Sequence, residues 1–168
     1  YLLTHSYYAK LLAVRRPTQN KGKRTAGVDG ETWSSPETKM NAALNLSDEK
    51  YVAKPLKRVF IEKPGNKKKR PLGIPTMYDR AMQSLYALAL EPIAETMADK
   101  RSFGFRKFRS THDACQQVHL YLCKENSPIW IFEGDIKGCF DSISHQWLIN
   151  NVPMDKTVLK QFLKAGYV

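Results

Sequence analysis

The sequence predicts an α+β fold in which helices dominate and a small sheet carries the functional site. Apolar residues recur at helical spacing in several segments, and capping residues such as Ser110 precede them. Two short β-prone runs, Val59–Ile61 and Leu72–Ile74, flank a Pro-Gly-Asn turn signal. A third run, Ile129–Phe132, follows a proline and is rich in β-branched and aromatic side chains, which indicates a buried strand.

The composition favours a polyanionic partner. The 168 residues are enough for one large domain or two small ones. Lysine and arginine number 27 against 16 acidic residues, a formal net charge of +11, and basic side chains that neutralise phosphates release counterions. A basic surface that is merely solvated is the alternative. No apolar run is long enough to span a membrane, and the three cysteines, without C-x-x-C spacing, indicate neither a disulfide framework nor a zinc site.

The first fifty residues are predicted to form two helices and a basic loop. An apolar stripe predicts a helix over Tyr1–Arg16 that ends at Pro17. The residues of this stripe are Leu2, Leu3, Tyr7, Leu11, Leu12 and Val14. Its uncapped start leads us to expect that the chain is cut from a longer one. Ser34 or Ser35 begins the second helix, which ends near Leu46. The loop between the helices is basic and rich in turn residues; it carries Lys21, Lys23, Arg24, Gly27, Asp29 and Gly30.

The predicted hairpin is followed by a long helix. The connection Glu62–Pro71 contains four adjacent cations, Lys67–Arg70, which are stable chiefly when they are solvated or face phosphates. A tip that only increases solubility is the alternative interpretation. Thr76, with Asp79 three residues later as a capping partner, begins a long helix that Pro92 should kink or interrupt.

Residues 102–124 combine aromatic and basic residues with a further helix. Phe103 and Phe105 lie beside Arg106, Lys107 and Arg109. Such a mixture of aromatic and basic residues binds single-stranded nucleic acid by stacking and charge. Core packing of the phenylalanines is the other interpretation. Ser110 and Asp113 then cap a helix that is expected to bury Ala114, Val118, Tyr121 and Leu122.

The predicted strand Ile129–Phe132 leads to Asp135. A carboxylate at the end of a buried strand is costly unless something pairs with it. A divalent cation held by Asp135 and a backbone carbonyl is one such partner, and a turn-capping role is the alternative. Two short helices follow, one capped by Ser144 and one opened by Asp155.

Several of these segments resemble group II intron-encoded reverse transcriptases, and the resemblance extends over nearly the whole chain. Lys21–Gly30 resembles the N-terminal extension of that family, Arg58–Arg80 its fingers motif, Ser102–Arg106 a further segment, and Asp135–His145 polymerase motif A. The resemblance implies a truncated right-hand reverse transcriptase fold. It places the N-terminal extension in residues 1–50, the fingers in 51–127 and the start of the palm in 128–168.

The resemblance also implies roles for individual residues. Asp135 and the carbonyl of Ile136 match positions that bind the catalytic magnesium ions, and Phe140 matches the aromatic gate against a ribose 2′-OH. Lys63 and Arg70 match positions that hold the incoming triphosphate, a role that suits the planar fork of arginine. The residues implied to bind template or intron RNA are Lys21, Lys23, Arg24, Lys67, Lys68, Lys69, Gly73, Ile74, Pro75, Arg106, Lys107 and Arg109.

The implied function is that of an RNA-directed DNA polymerase which assists intron splicing and copies RNA into DNA for retrohoming. Its partners would be group II intron RNA, an RNA template with a DNA primer, deoxynucleotide triphosphates, and target DNA through domains outside these residues. Magnesium is the implied cofactor of a two-metal site. The second aspartate motif, Y/F-A-D-D, does not occur here, so we expect this chain alone to hold half of the metal ligands and to be catalytically incomplete. A cytoplasmic bacterial ribonucleoprotein is expected.

Two other functions compete with this one. A binding module would clamp intron RNA while polymerase chemistry is secondary or lost, but the presence of Asp135 and Phe140 indicates an intact site. An RNA-dependent RNA polymerase shares the palm but usually carries a small or polar residue at the gate, which Phe140 is not.

Overall fold

The chain alternates helices with one β-hairpin in a computed structural model. The structure describes residues 1–63 and 65–168, and for Lys63, Asn66, Lys67 and Lys68 it describes the backbone alone. Two compact units divide the chain, one of residues 1–91 with 145–168 and one of residues 92–144. The elements are α1 (Leu2–His5), α2 (Tyr7–Gln19), a 3-10 helix (Lys21–Arg24), α3 (Pro36–Leu44), β1 (Lys57–Lys63), β2 (Asn66–Ile74), α4 (Met77–Met97), α5 (Thr111–Leu122), a second 3-10 helix (Phe140–Ser142), α6 (His145–Asn151) and α7 (Lys156–Lys164).

The core of the first unit is built around small residues of α2. Ala9 and Ala13, four residues apart, are buried there together with Val14 of the predicted stripe, whereas Leu2 and Leu12 of that stripe are exposed. Small side chains let neighbouring helices approach closely, so the buried face agrees with the predicted stripe only in part, at Val14 and at the partly buried Leu11. The other fully buried apolar partners in this core are Ala43, Leu46, Ala81, Met82, Leu85 and Val158.

The N-terminal helix is interrupted earlier and ends later than predicted. Ser6 has extended backbone angles and separates α1 from α2. Pro17 lies inside the last turn of α2 rather than after it, because its fixed φ suits a helix and only one backbone hydrogen bond is lost. The Thr18 hydroxyl donates to the carbonyls of Val14 and Arg15, at 3.2 and 2.8 Å, which closes the turn.

The predicted hairpin is confirmed, with longer strands and a shorter connection. β1 and β2 are antiparallel from Lys57 opposite Ile74 to Lys63 opposite Asn66, and Gly65 adopts a positive φ of 74° in the turn. The run Lys67–Arg70 therefore lies in β2 and not in a loop. Opposite charges across the ladder favour this register, since Glu62 faces Lys69.

Local caps fix the helices of both units as predicted. Ser35 Oγ accepts from the Thr38 amide at the start of α3, Ser110 and Asp113 form a reciprocal capping box on α5, and Asp155 accepts from two amides at the start of α7. Helix α4 begins after Thr76 and continues through Pro92 to Met97 without the predicted interruption.

Two burial predictions in the second unit are wrong. The face of α5 that was expected to be buried is exposed or only partly covered, with Val118 56% exposed. Ile129–Phe132 forms no strand, and its four side chains are 74–95% exposed. A strand needs a neighbour to pair its backbone groups, and β1 and β2 are the only strands that pair as a ladder among the described residues. The predicted three-part division at residues 50 and 127 stays a prediction.

Candidate functional site

The segment that resembles motif A forms a turn and not the end of a strand. Gly138 has a positive φ of 61°, and the carbonyl of Gly138 accepts from both the amide and the hydroxyl of Ser142, each at 3.1 Å. The 3-10 helix Phe140–Ser142 follows, and α6 begins at His145. The expectation that Asp135 ends a strand is therefore wrong. As with Ile129–Phe132, no neighbouring strand pairs with this segment among the described residues.

Asp135 and Phe140 are both open to solvent in this turn. The Asp135 carboxylate is exposed and makes no hydrogen bond or ion pair with any residue that the structure describes. Phe140 is 85% exposed. An acidic oxygen without a protein partner is available to a cation, so the local geometry is compatible with the predicted ligand role, which stays a prediction.

A metal site cannot be assembled from the described side chains by themselves. Among residues 1–63 and 65–168, no group of three or more His, Cys, Asp or Glu lies close enough to hold an ion. His112 and His119, both exposed in α5, are not part of any such group there. Asp135 therefore belongs to no group of three or more such side chains in this part of the chain.

The residues implied to hold the nucleotide fall on both units. Lys63 and Arg70 belong to the hairpin of the first unit, whereas Asp135, Ile136 and Phe140 belong to the second. Arg70 lies in β2 opposite Ile61 and is exposed. The predicted roles of the Lys63, Lys67 and Lys68 side chains lie outside what the structure describes.

The end of the hairpin joins the basic loop at the start of α4. Gly73 lies against Leu56, since a Cβ on Gly73 would be 2.8 Å from Leu56 Cδ1. Gly27 of the loop lies against the backbone of Thr76, and a Cβ there would be 2.7 Å from the Thr76 Cα. A side chain at position 27 would therefore push the loop away from α4, which gives Gly27 a structural requirement that turn chemistry alone does not supply.

Arg80 holds the basic loop in place, and sequence patterns did not single it out. Its guanidinium donates to the carbonyls of Gly22 at 3.0 Å, Thr25 at 2.6 Å and Pro75 at 2.9 Å. Burial lowers the pKa of Arg80, while the charge of Asp29 acts in the opposite direction. The sequence signals are that Arg80 directly follows the capping residue of α4 and that it is the last residue of the segment that resembles the fingers motif. Lys21, Lys23 and Arg24 stay exposed on the loop that it fixes.

Two arginines predicted to bind RNA have a partner within the second unit. Arg106 donates to Glu95 Oε2 at 3.0 and 2.6 Å, and Arg109 donates to Glu95 Oε1 at 2.5 Å. Arg109 also donates to the carbonyls of Lys100 and Ser102, at 3.0 and 2.5 Å. The hydrogen bonds with Arg106, more than any other influence, lower the pKa of Glu95. The hydrogen bonds of these arginines stabilise the loop, and the contact of either arginine with RNA stays a prediction.

The aromatic residues of the same loop divide between two environments. Phe103 is partly buried, and the Arg109 guanidinium lies 6.0 Å from its ring centroid. Phe105 and Phe108 are fully exposed and have positive φ angles of 58° and 59°. Such angles are uncommon for bulky residues, so the loop holds both rings outward at a conformational cost.

Two family models match the chain in sequence order. One, described as the N-terminal domain of reverse transcriptase, matches residues 1–46, and one described as reverse transcriptase (RNA-dependent DNA polymerase) matches residues 61–166. The second match begins inside β1 and contains β2 and the Asp135 turn. None of the helices described in the structure is long and apolar enough to cross a membrane.

Three curated relatives are identical to this chain at about a third of the aligned positions or more. The group II intron-encoded protein LtrA of Lactococcus lactis subsp. cremoris is 37% identical over 100% of the chain and 28% of its own length. Protein YkfC of Escherichia coli (strain K12) is 37% identical over 93% of the chain and 44% of its own length. An uncharacterized 91 kDa protein in the cob intron of Schizosaccharomyces pombe is 33% identical over 94% of the chain and 20% of its own length. The chain thus spans less than half of each relative.

Proposed function

Because the chain belongs to the reverse transcriptase family, we propose that it supplies the fingers and the start of the palm of an RNA-directed DNA polymerase encoded by a group II intron. The observation that carries this proposal is the 37% identity to a group II intron-encoded protein along the entire chain. The match covers the hairpin and the Asp135 turn together, which are the two parts that such a polymerase needs for its nucleotide.

In this proposal Asp135 and the carbonyl of Ile136 hold magnesium. The exposed carboxylate of Asp135, without a partner among the described residues, is the hard oxygen ligand that magnesium prefers. When bound, the ions stabilise the attacking and leaving oxygens of phosphoryl transfer. The remaining carboxylates would come from the Y/F-A-D-D segment of the longer protein.

The other residues of the proposed site orient the nucleotide. Lys63 and Arg70 neutralise its triphosphate, and the arginine fork can bind two phosphate oxygens at once. The ring of Phe140 lies beneath the sugar and leaves no room for a 2′-hydroxyl. The exposed position of Phe140, five residues after Asp135 on a turn held by Gly138, supports this role.

A second function, binding of intron RNA to assist splicing, accompanies the first. The net charge of +11 supports it, as does the intron location or encoding in the names of two of the relatives. Retrohoming would in addition require target DNA and the segments of the longer protein that contact it.

The polymerase assignment is tested by primer extension with the full-length protein. Phe140→Ala should admit ribonucleotides and leave deoxynucleotide incorporation largely intact, whereas Phe140→Tyr, which keeps a ring, should discriminate like the unchanged protein. Asp135→Ala should abolish incorporation of both and spare RNA binding, because its carboxylate serves the metal and not the phosphates. Glu125→Ala, at an exposed acidic residue outside the motif A segment, is the control and should retain activity.

Two outcomes would contradict the assigned roles. Unchanged sugar discrimination in Phe140→Ala would show that another residue is the gate. Loss of RNA binding together with activity in Asp135→Ala would show that Asp135 stabilises the fold and is not a metal ligand.

A further inference from the structure

A polar cavity of about 330 Å³ opens beside the basic loop in the first unit. Its lining brings together the end of α2, the Lys21–Arg24 helix, the segment before α3 and the first turns of α3. The side chains that matter here are Lys23, Arg24, Trp33 and Lys39, and we call this cavity the Trp33 pocket.

The charge of the Trp33 pocket is uncompensated within the described part of the chain. Lys23, Arg24 and Lys39 all line it, and no acidic residue does. None of the three makes a side-chain ion pair or hydrogen bond with a residue that the structure describes. Three cations around one cavity repel one another, and an anionic ligand would relieve that repulsion.

Trp33 gives the pocket an aromatic wall that is already fixed. Its side chain is only partly exposed because it packs against the core of the first unit, and it lines the cavity as well. Nucleic-acid bases stack on such rings without regard to sequence. The combination of an indole with cations suits a base and its phosphate better than it suits a simple inorganic anion.

The backbone that carries two of the cations is held before any ligand arrives. Arg80 donates to the carbonyls of Gly22 and Thr25, which lie on either side of Lys23 and Arg24. Preorganisation of this kind lowers the conformational cost of binding.

We propose that the Trp33 pocket takes one unpaired nucleotide of an RNA strand, with the base against Trp33 and the adjoining phosphate between Lys23, Arg24 and Lys39. The volume lies at the small end of the range for ligand pockets, which fits one nucleotide and excludes a duplex. That the strand is RNA rests on the proposed function; the nucleotide chemistry rests on the pocket.

The test is photo-crosslinking of the full-length protein to a single-stranded RNA that carries 5-iodouridine, followed by mapping of the modified peptide. We expect a crosslink at Trp33. Lys39→Gln should lower its yield roughly fivefold at 0.15 M salt and reduce the salt slope of binding by about 0.7, the effect of one phosphate contact on a single strand. Lys10→Gln, on α2 and outside the pocket lining, is the matched control and should change neither.

Each alternative outcome overturns a defined part of the proposal. RNA binding and primer extension without a crosslink at Trp33 would overturn the pocket and leave the proposed function standing. A crosslink that is unaffected by Lys39→Gln would show that the phosphate does not bind beside Lys39 in the pocket. A stronger crosslink to the matched DNA strand than to RNA would overturn RNA as the ligand. Absence of both RNA binding and primer extension in the unchanged protein would overturn the proposed function itself.

Discussion

Arg80 shows how one side chain can determine the position of a whole loop. Three carbonyl oxygens from Gly22, Thr25 and Pro75 converge on its guanidinium. Arg80→Lys keeps the charge but loses the planar fork, and we expect a loss of about 1–3 kcal/mol in the free energy of unfolding, measured by urea unfolding. Trypsin should also cut the Lys21–Arg24 segment faster. Arg15→Lys, at an exposed position of α2, should change neither the unfolding midpoint nor the cleavage rate; an equal effect there would exclude a specific role for Arg80.

A buried aspartate at the start of α4 gives a second test at this scale. Asp79 is 4% exposed and accepts from the hydroxyls of Tyr51 at 2.5 Å and Thr76 at 2.6 Å. Burial, followed by this hydrogen bond, raises the pKa of Tyr51 above the ordinary tyrosine value. The folded protein therefore keeps the phenol proton more tightly than the unfolded chain, so this stabilisation is present below about pH 10 and is lost as the pH rises above it.

Tyr51→Phe should flatten the fall in stability above about pH 10. It should also cost about 1–3 kcal/mol at pH 7, because a buried carboxylate oxygen loses its donor. Urea unfolding at pH 7 measures the cost of the lost hydrogen bond, and urea unfolding over a pH series above about pH 10 measures the slope. Part of the fall in stability should remain in Tyr51→Phe, because burial also raises the pKa of Tyr86. The exposed Tyr8 offers the control substitution Tyr8→Phe, and the same flattening there would contradict the assignment to Tyr51.

At the scale of an element, Glu95 joins helix α4 to the loop that follows it. Its carboxylate binds both Arg106 and Arg109, and these bonds hold its pKa below the ordinary glutamate value. Because the folded state lowers this pKa, the bonds of the ionised carboxylate stabilise the loop fully at pH values above the ordinary glutamate pKa. This stabilisation is lost as the pH falls through the lowered pKa of Glu95. Glu95→Gln should therefore speed amide hydrogen exchange in residues 102–110, because a neutral amide binds two guanidinium groups less well than a carboxylate.

The β-hairpin and an unrelated acidic residue provide the references for that experiment. Exchange in β1 and β2, which belong to the other unit, should stay the same in Glu95→Gln. Glu125→Gln changes an exposed glutamate of the second unit and should leave residues 102–110 as protected as before. Equal exchange in Glu95→Gln and the unchanged protein would show that the loop is held by its backbone contacts.

For the whole molecule, charge determines the response to salt. With a net charge of +11, RNA binding should weaken steeply as salt rises, because each neutralised phosphate releases counterions. The double substitution Lys23→Gln and Arg24→Gln should lower the slope of log K against log salt by about 1.4 on a single strand. Filter binding over a salt series measures it, with Lys10→Gln as the reference. A flat dependence in the unchanged protein would exclude phosphate contacts as the main source of affinity.

Local chemistry made much of the fold predictable from the sequence. The caps at Ser35, Ser110 and Asp155 and the hairpin around Gly65 depend on contacts between near neighbours in the chain, so the residues themselves encode them. The resemblance likewise identified Asp135 and Phe140 as candidate site residues. Their roles remain predictions, and the local pattern could not predict their surroundings.

Tertiary structure decided what depends on distant partners. The apolar stripe of α2 correctly included Val14, which is buried, but it did not include Ala9 and Ala13, which are buried because other helices approach there. Arg80 binds a carbonyl 58 residues earlier in the chain, a contact that leaves no sequence pattern. Ile129–Phe132 has the composition of a strand but remains exposed, because composition supplies the side chains of a strand while only a neighbouring backbone can pair its amides and carbonyls.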